Sequence, residues 1–383
     1  MLVFTLPSWY KSEKNPNSCL FIFEQMKALR MLGAKVVVLT VHTAPIQSLR
    51  KPDSRILKSE EEGVITYSTE MTAVYPSKFR DLYVKGFMKA LRRLIDEAIK
   101  DFGRPDVFYA HFSFAAGVSA VRLDYGIPVV VEEHYSLLME KEADDKLKGY
   151  IKETAEKADA FICVSDGLKN MVDFITGNPE KTKVITNMID PCFKFMPAEK
   201  KDRFTFFSLG WLIPRKRFDL LIKAFAEEFK GENDTALRIG GSGQEQESLQ
   251  NLIKQYGMEE RISLIGQLGR EATLEEYRKC DCFALVSQAE TYGLVYREAM
   301  AVGRPVISTR HGGFGADWSD ESGCLIDVDD IDQLKKAMRH IYENYESYDL
   351  KKISEKCLAE CSWESVAGKI VETFASVTGK SNG

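Results

Sequence analysis

Two glutamates eight positions apart, Glu290 and Glu298, mark the stretch of this chain best equipped for chemistry. Residues 287–307 read as a strand end, a loop, a helix, a glycine stop at Gly303 and a new strand from Pro305. Glu290 falls in the loop, where a carboxylate can accept hydrogen bonds from sugar hydroxyls. Gly293 opens the helix and, having no side chain, lets a ligand come close to the backbone. The N–H groups from Tyr292 through Leu294 to Val295 lack intrahelical partners, and a helix N-terminus favours phosphate. Glu298 lies about one turn in, within reach of a hydroxyl-rich group such as a ribose. Taken singly, each glutamate is better explained without chemistry, Glu298 as a solvated helix residue and Glu290 as a charge at a helix N-terminus.

Other constellations also sit at element ends. Gly210, Trp211, Leu212, Ile213, Pro214, Arg215 and Lys216 follow a strand and precede a helix. A lysine near a helix start opposes the dipole, which argues for a ligand rather than the helix as its partner. Gly241–Ser242–Gly243 makes a turn after the next strand, and Gly266–Gln267 makes another after the one beyond. The chain has five histidines, and two of them, His111 and His134, stand at consecutive strand ends. Either can be a satisfied structural histidine or a ligand-facing one. Eight cysteines are scattered, and beside Cys280 and Cys282 no second pair or histidine cluster completes a zinc site. Asp144–Asp145 and Asp329–Asp330 read as surface acids. The expectation is no metal and no cofactor.

The elements that carry these residues alternate. Short β-branched runs at 2–6, 35–41, 106–110, 128–131, 160–164 and 183–185 are separated by stretches with helical periodicity, including 21–32 and 79–99. This pattern predicts βαβ units and a parallel sheet. Residues 187–201, with Pro191 and Pro197 and no periodicity, read as a linker. The alternation restarts with strands at 204–209, 236–240, 262–265, 282–286 and 305–308. Helices are expected from Phe218, Gln244, Ala272 and Leu294, then over 331–345 and 363–377. The fold class is α/β with two doubly wound Rossmann-like domains, spanning 1–190 and 191–361, and a C-terminal helix in 362–383. The default ligand site of such a pair is the cleft at the strands' C-terminal ends.

Composition agrees. The chain has 383 residues, 44% hydrophobic and 28% charged, with a net charge of −5, which excludes disordered, collagenous and small disulfide-stapled proteins. A mildly acidic balance gives no reason to expect nucleic-acid binding. No run approaches the roughly 18 apolar residues of a membrane-spanning helix. The start reads as a first strand rather than a signal peptide, and the free thiols suit a reducing cytoplasm. The charge is uneven: residues 1–100 carry 16 Lys and Arg against 10 Asp and Glu. Much of this excess lies in 78–93, at Lys78, Arg80, Lys85, Lys89, Arg92 and Arg93, with Tyr75, Phe79, Tyr83, Phe87 and Met88 interleaved. It is either an ordinary surface helix or a face for an anionic bilayer.

The segment from Glu290 to Ile307 resembles family 4 of the retaining glycosyltransferases, whose signature is E-x7-E followed by A-M-A-x-G-x-P-V-I. The resemblance implies the GT-B fold, a nucleotide-sugar donor, Glu290 on the donor sugar and Glu298 on the donor ribose. Residues 210–216 are similar to the family's G-R-L-x-P-x-K loop, which neutralises the donor diphosphate. Lys216 matches, Trp211 replaces the arginine, and Arg215 or Arg217 is left to supply that charge. Gly241 and Gln267 then fall in loops around the donor, and Gly312–Gly313 matches a family G-G without the acid that follows it. In the first half, residues 15–25 resemble N-P-x-x-G-x-F-x-x-E-Q, with Cys19 in place of the glycine. His111 matches the histidine that faces the donor sugar, and His134 matches a second strand-end histidine on the acceptor side.

The resemblance thus implies a retaining, metal-independent hexosyltransferase acting on a glycan or lipid-linked glycan in bacterial surface polysaccharide assembly. Its expected place is cytoplasmic, peripheral at the inner face of the plasma membrane. Two readings remain beside it: a nucleotide-sugar epimerase on the same fold, and a nucleotide-sugar-binding protein that has lost catalysis. A nicotinamide oxidoreductase is disfavoured, because Pro7–Ser8–Trp9–Tyr10 stands where G-x-G-x-x-G belongs.

Overall fold

The structure, a computed structural model, describes residues 1–380 apart from 14, 17, 46–50, 74–78, 139–142, 200, 312 and 315–318. The chain divides into two compact units, Met1–Met188 with Trp363–Gly383, and Ile189–Ser362.

The first unit runs β1 (Leu2–Pro7), α1 (Leu20–Met31), β2 (Lys35–Pro45), β3 (Leu57–Glu61), β4 (Val64–Ala73) and α2 (Arg80–Phe102). It continues with β5 (Val107–His111), α3 (Val118–Leu123), β6 (Val129–Glu133), α4 (Asp145–Lys157), β7 (Ala160–Cys163), α5 (Asp166–Thr176) and β8 (Thr182–Val184). The second unit runs β9 (Phe204–Leu209), α6 (Phe218–Glu228), β10 (Thr235–Gly240), α7 (Gln246–Gln255), β11 (Ile262–Gly266), α8 (Arg270–Lys279) and β12 (Cys282–Ala284). After it come α9 (Leu294–Val302), β13 (Val306–Thr309), β14 (Gly323–Ile326), α10 (Ile331–Asn344) and α11 (Leu350–Cys361). The chain ends in α12 (Trp363–Thr378), which packs on α1 of the first unit.

The first sheet has the order β3-β4-β2-β1-β5-β6-β7-β8, parallel throughout except for the antiparallel edge strand β3. The second sheet is wholly parallel, in the order β11-β10-β9-β12-β13-β14. In each, the order reverses beside a central strand, β1 against β5 and β9 against β12. Ligands of open α/β sheets bind at the carboxyl ends of the strands that flank such a switch. Strands buried on both faces read as continuous apolar runs, and Val107–His111, Val129–Glu133 and Val306–Thr309 are buried at every position. The second core is rich in phenylalanine, with Phe206, Phe207, Phe218 and Phe225 fully buried. Each such side chain contributes about 2–3 kcal/mol of burial.

The edge pair β3 and β4, the strand β14 and the helix α11 go beyond what the sequence pattern predicts. Helix α2 corrects one expectation. Tyr83 and Phe87, read as interleaved with the basic residues, are buried against the sheet with Val84, Leu91, Leu94 and Ile95. The exposed apolar groups beside Lys85, Lys89, Arg92 and Arg93 are Phe79 and Leu82. Arg80 is paired with Asp144, and Tyr75 and Lys78 lie outside the described residues.

Candidate functional site

In the second unit the loops after β9 and β12 meet at the switch point. The Gln288 backbone N–H donates to the Arg215 carbonyl at 2.9 Å, tying the two loops together. Residues Pro214–Lys216 form one 3-10 turn, which delivers the Lys216 ammonium to the Glu290 carboxylate as an ion pair. Ser287 Oγ donates to the same oxygen, Glu290 Oε1, at 2.9 Å. Both charged side chains are only 12% exposed. Burial opposes ionisation of Glu290, but the adjoining Lys216 charge prevails and holds the carboxyl below its usual range. The Lys216–Glu290 pair thus presents a fixed, part-buried cation and anion side by side.

His311, which sequence reasoning missed, adjoins this pair. Its Nδ1 accepts from the Gly313 backbone N–H at 3.0 Å, so the ring proton sits on Nε2, 3.3 Å from Ser308 Oγ. Burial pulls its pKa down to about 4. The one signal for it was its place between β13 and the Gly312–Gly313 pair. Gly312 is outside the described residues, and Gly313 lies so close to the chain that a Cβ there would come 2.9 Å from the Glu290 carbonyl.

Helix α9 starts on Gly293, whose φ of 79° is left-handed and whose missing side chain leaves room for the Tyr296 ring. Leu294 and Val295 form its first turn and are half-buried. Tyr292 is buried, with the Arg297 guanidinium 5.0 Å from its ring centroid. The same Arg297 guanidinium lies 3.9 Å from the Phe314 ring centroid. Glu298 is held by the fully buried Tyr277, whose single hydroxyl proton is shared between the Val295 carbonyl at 2.8 Å and Glu298 Oε2 at 3.1 Å. Burial raises the Glu298 carboxyl to about 7. Among the described residues Tyr277 is its one hydrogen-bond partner.

The remaining loops form a backbone platform. Leu212 N–H donates to the Ser242 carbonyl at 2.9 Å, and Gly241 N–H to the Gly266 carbonyl at 2.7 Å. Only glycine fits at 241, since a Cβ would lie 1.9 Å from the Gly210 carbonyl oxygen. Gln267 is exposed, with Ser242 Oγ 3.5 Å from its Oε1. Trp211 is 61% exposed. Arg217 is engaged by Asp219 at 3.1 Å and by Asp329, so Asp329 is a partner of this loop and not a bystander surface acid. Arg215 is half-buried.

In the first unit His111 ends β5 and His134 follows β6, and the parallel register brings them together. His111 Nδ1 lies 3.1 Å from His134 Nε2. The buried Glu132 carboxylate lies 3.9 Å from each of these nitrogens. Gln25 Nε2 donates to Glu132 Oε2 at 3.0 Å and the Tyr109 hydroxyl donates to the same oxygen. Burial raises Glu132 to about 7, lowers His134 to about 3 and holds His111 well below the usual imidazole range. Spacing marked the two histidines, but Glu132, Gln25 and Tyr109 read as ordinary strand and helix residues. The next glutamate, Glu133, accepts from the backbone of Ser113, His134 and Tyr135 at 2.9–3.0 Å and fixes the turn. That turn is strained, with Phe112 at φ 70° and Ala115 at φ 67°. Cys19 caps α1 with φ 49°, a glycine-like conformation kept by a side-chain-bearing residue, and burial pushes its thiol up to about 11.

Two family models match. "Glycosyltransferase Family 4" covers residues 20–192 and "Glycosyl transferases group 1" covers residues 192–356. The chain belongs to glycosyltransferase family 4. Among the curated relatives of this family 4 chain, an uncharacterized glycosyltransferase of Methanocaldococcus jannaschii is 27% identical over 63% of the chain and 66% of its own length. A D-inositol 3-phosphate glycosyltransferase of Nocardioides is 25% identical over 73% of the chain and 69% of its own length. Matches to further relatives span as little as 38% of the relative's length. Sucrose-phosphate synthase from Thermosynechococcus elongatus superposes with a TM-score of 0.79, at 18% identity and full coverage of both chains. Anabaena HepE, solved in complex with UDP, superposes with a TM-score of 0.74 at 18% identity, over 98% of this chain and 100% of that one. These neighbours establish that this family 4 member has the GT-B fold.

Proposed function

We propose that the chain transfers a hexose from a nucleotide-sugar donor to a hydroxyl of a glycan or lipid-linked glycan, with retention and without a divalent metal. The observation that carries this reading is the Lys216–Glu290 pair at the mouth of the β9/β12 switch, next to the N-terminus of α9. Breaking the bond from sugar to diphosphate builds negative charge on the leaving phosphates. Lys216 and the first-turn amides of α9 are fixed positive groups for that charge, and such preorganised donors are the largest single source of catalysis in many enzymes. Glu290 anchors sugar hydroxyls, and Glu298, held by one neutral donor, has acceptor capacity left for the ribose. The Gly241 and Gln267 loops bring backbone to the nucleotide. His111 is proposed as the histidine that contacts substrate hydroxyls, with Cys19 and His134 on the acceptor side.

Retention fits a front-face path in which the leaving phosphate takes the acceptor proton. Trapping a covalent glycosyl–enzyme adduct would overturn it. Bacterial surface polysaccharide assembly is the proposed setting. No helix among the described residues is long and apolar enough to cross a membrane. We place the chain at the inner face of the plasma membrane, through Lys85, Lys89, Arg92 and Arg93 with Phe79 and Leu82. Flotation with anionic liposomes tests that docking: R92E/R93E must abolish it, and undiminished flotation rejects the surface.

The function itself is tested by a thermal-shift screen against UDP, GDP and ADP sugars, since a ligand that binds only the folded state raises its stability. UDP sugars come first because HepE was solved with UDP. A shift with one donor class, followed by release of its nucleoside diphosphate on adding acceptor, supports the proposal. Epimerised sugar without acceptor supports the epimerase instead.

A further inference from the structure

The first sheet also has a switch point, beside β1 and β5, and the loops that leave it are aromatic. The loop after β1 carries Trp9, the loop after β5 carries Phe112 and Phe114, and the loop after β6 carries Tyr135. The Trp9 ring stands edge-on to Phe112, 4.8 Å between centroids, and lies 5.6 Å from Tyr135 and 6.4 Å from Phe114. His134 joins the same group, 5.2 Å from Phe112 and 4.8 Å from Phe21 of α1. Phe112 is buried, whereas Trp9, Phe21, Phe114 and Tyr135 all stay half-exposed. Folding gains free energy by covering such rings, so four left partly in water at one sheet end call for an occupant. The backbone does not relax to cover Phe114. Phe112 and Ala115 hold φ of 70° and 67°, and Ser8 Oγ ties the loops, donating to the Phe114 carbonyl and accepting from the Ala116 N–H at 3.0 Å.

A polar atom sits among the rings. His134 is buried and its Nδ1 has no hydrogen-bond partner, a costly state unless a ligand supplies one. Among the described residues the cation over these rings is Arg80, 6.0 Å from the Phe114 centroid, and its charge is taken by Asp144. The fitting ligand is therefore apolar on one side, polar at its rim and uncharged. A hexopyranose has this form: its ring C–H groups make an apolar face that packs on the negative face of an aromatic ring, and its hydroxyls both donate and accept at the edge. An acyl chain would leave His134 Nδ1 unpaired. A phosphorylated sugar would bring charge to a place where the neighbouring cation is already spent. We propose that the half-exposed rings of Trp9 and Tyr135, backed by Phe112 and His134, form the subsite for an uncharged hexopyranose, the terminal sugar of the acceptor. The acceptor role rests on the sugar-transfer reading, whereas the binding of a neutral hexose does not.

The test separates the two. Saturation-transfer NMR on the full chain without donor reads binding directly. The probes are the methyl glycosides of glucose, galactose and mannose, with glucose 6-phosphate, octanol and uridine as the charged, aliphatic and base-like alternatives. At least one methyl hexoside is expected to receive saturation at its ring C–H protons. Its affinity is expected to fall about tenfold in W9A and in Y135A, and W9F, which keeps an aromatic face, is expected to restore most of it. In transfer assays W9A is expected to raise acceptor KM about tenfold and to leave donor KM within about twofold. The proposal is overturned if no methyl hexoside binds, or if W9A and Y135A bind it as the native protein does. It is also overturned if glucose 6-phosphate, octanol or uridine binds in a Trp9-dependent way more tightly than every hexoside. If W9A does not fold, Y135A decides. Trp9-dependent hexoside binding in a protein that transfers no sugar supports the subsite and rejects only its acceptor role. Transfer with an acceptor KM unmoved in W9A rejects the subsite and leaves the sugar-transfer reading standing.

Discussion

Replacing Lys216 with methionine probes the ion pair on which the functional reading turns. Methionine keeps the length of the side chain and removes the charge. The pair is 12% exposed on both sides, so water does little to screen the carboxylate left behind. Contact attraction at an effective dielectric near 20 is about 4 kcal/mol, and one hydrogen bond from Ser287 Oγ recovers about 1 kcal/mol. The expected loss is therefore about 3 kcal/mol, or roughly 6–12 °C in the unfolding midpoint of the second unit. Its pH dependence has a definite sign. In the native protein the Glu290 pKa is lowered, so its stabilisation is full above the unfolded value and is lost as pH falls through the folded one. In K216M burial is opposed only by the smaller effects of His311 and the Ser287 hydrogen bond, and the pKa rises. The deficit then grows as pH climbs from the ordinary glutamate range to the raised value and levels off above it. At pH 5 the carboxyl picks up a proton and much of the deficit disappears. The assay is thermal unfolding of both proteins from pH 5 to 8, with nucleoside diphosphate release measured alongside. The rate is expected to fall about 10²- to 10³-fold, as when one preorganised charge-stabilising donor is removed. Equal midpoints at pH 8, or a rate within twofold of the native one, would refute the reasoning.

Three other variants probe the same structure. E298Q is expected to be more stable than the native protein at pH 8, by about 1–2 kcal/mol. The raised native carboxyl costs stability as pH rises from the glutamate range through about 7, and the partial exposure of the side chain limits the gain. The same variant should bind a nucleotide sugar more weakly at pH 8 and lose the pH dependence of binding; calorimetry at pH 6 and pH 8 checks both. G241A forces a Cβ to 1.9 Å from the Gly210 carbonyl, so it is expected to cost about 2–4 kcal/mol and to abolish nucleotide-induced thermal shifts. R304M should cost about 3–4 kcal/mol in denaturant unfolding, since the fully buried guanidinium donates to the carbonyls of Tyr277, Met196 and Arg278 at 2.9–3.2 Å.

Much of this architecture was readable from residue order. Strand β9 and the starts of α6 and α9 fall on the residues expected, because turn glycines and the switch from period 2 to period 3.6 mark them sharply. The missed elements had weak signals for physical reasons. Strand β3, Leu57–Glu61, is Leu-Lys-Ser-Glu-Glu and exposed at every position, the charged pattern by which an edge strand avoids pairing with another chain. Helix α11 buries Ile353, Cys357 and Cys361, so its stripe appears only when cysteine is counted as apolar. At the site, spacing exposed the two glutamates, the lysine and the two histidines. It could not show that Lys216 and Glu290 meet, because their separation of 74 positions is closed only by sheet order. Nor could it show the supporting partners. Tyr277 lies inside a run that reads as helix and Tyr109 inside one that reads as strand, while Arg304 sits between the Gly303 stop and the next strand and Glu132 just past the run at 128–131. Their importance comes from burial and hydrogen bonding, which no local pattern records.

The central claim is that the β9/β12 switch binds a nucleotide sugar and that the bound sugar is transferred. The most direct measurement incubates the protein with anomerically labelled nucleotide sugar and a glycan or lipid-linked glycan acceptor, and follows the sugar by carbon NMR. The account predicts acceptor-dependent release of nucleoside diphosphate and a product with the anomeric configuration of the donor. Inverted product would contradict retention, and no release with UDP, GDP or ADP sugars would contradict the account as a whole.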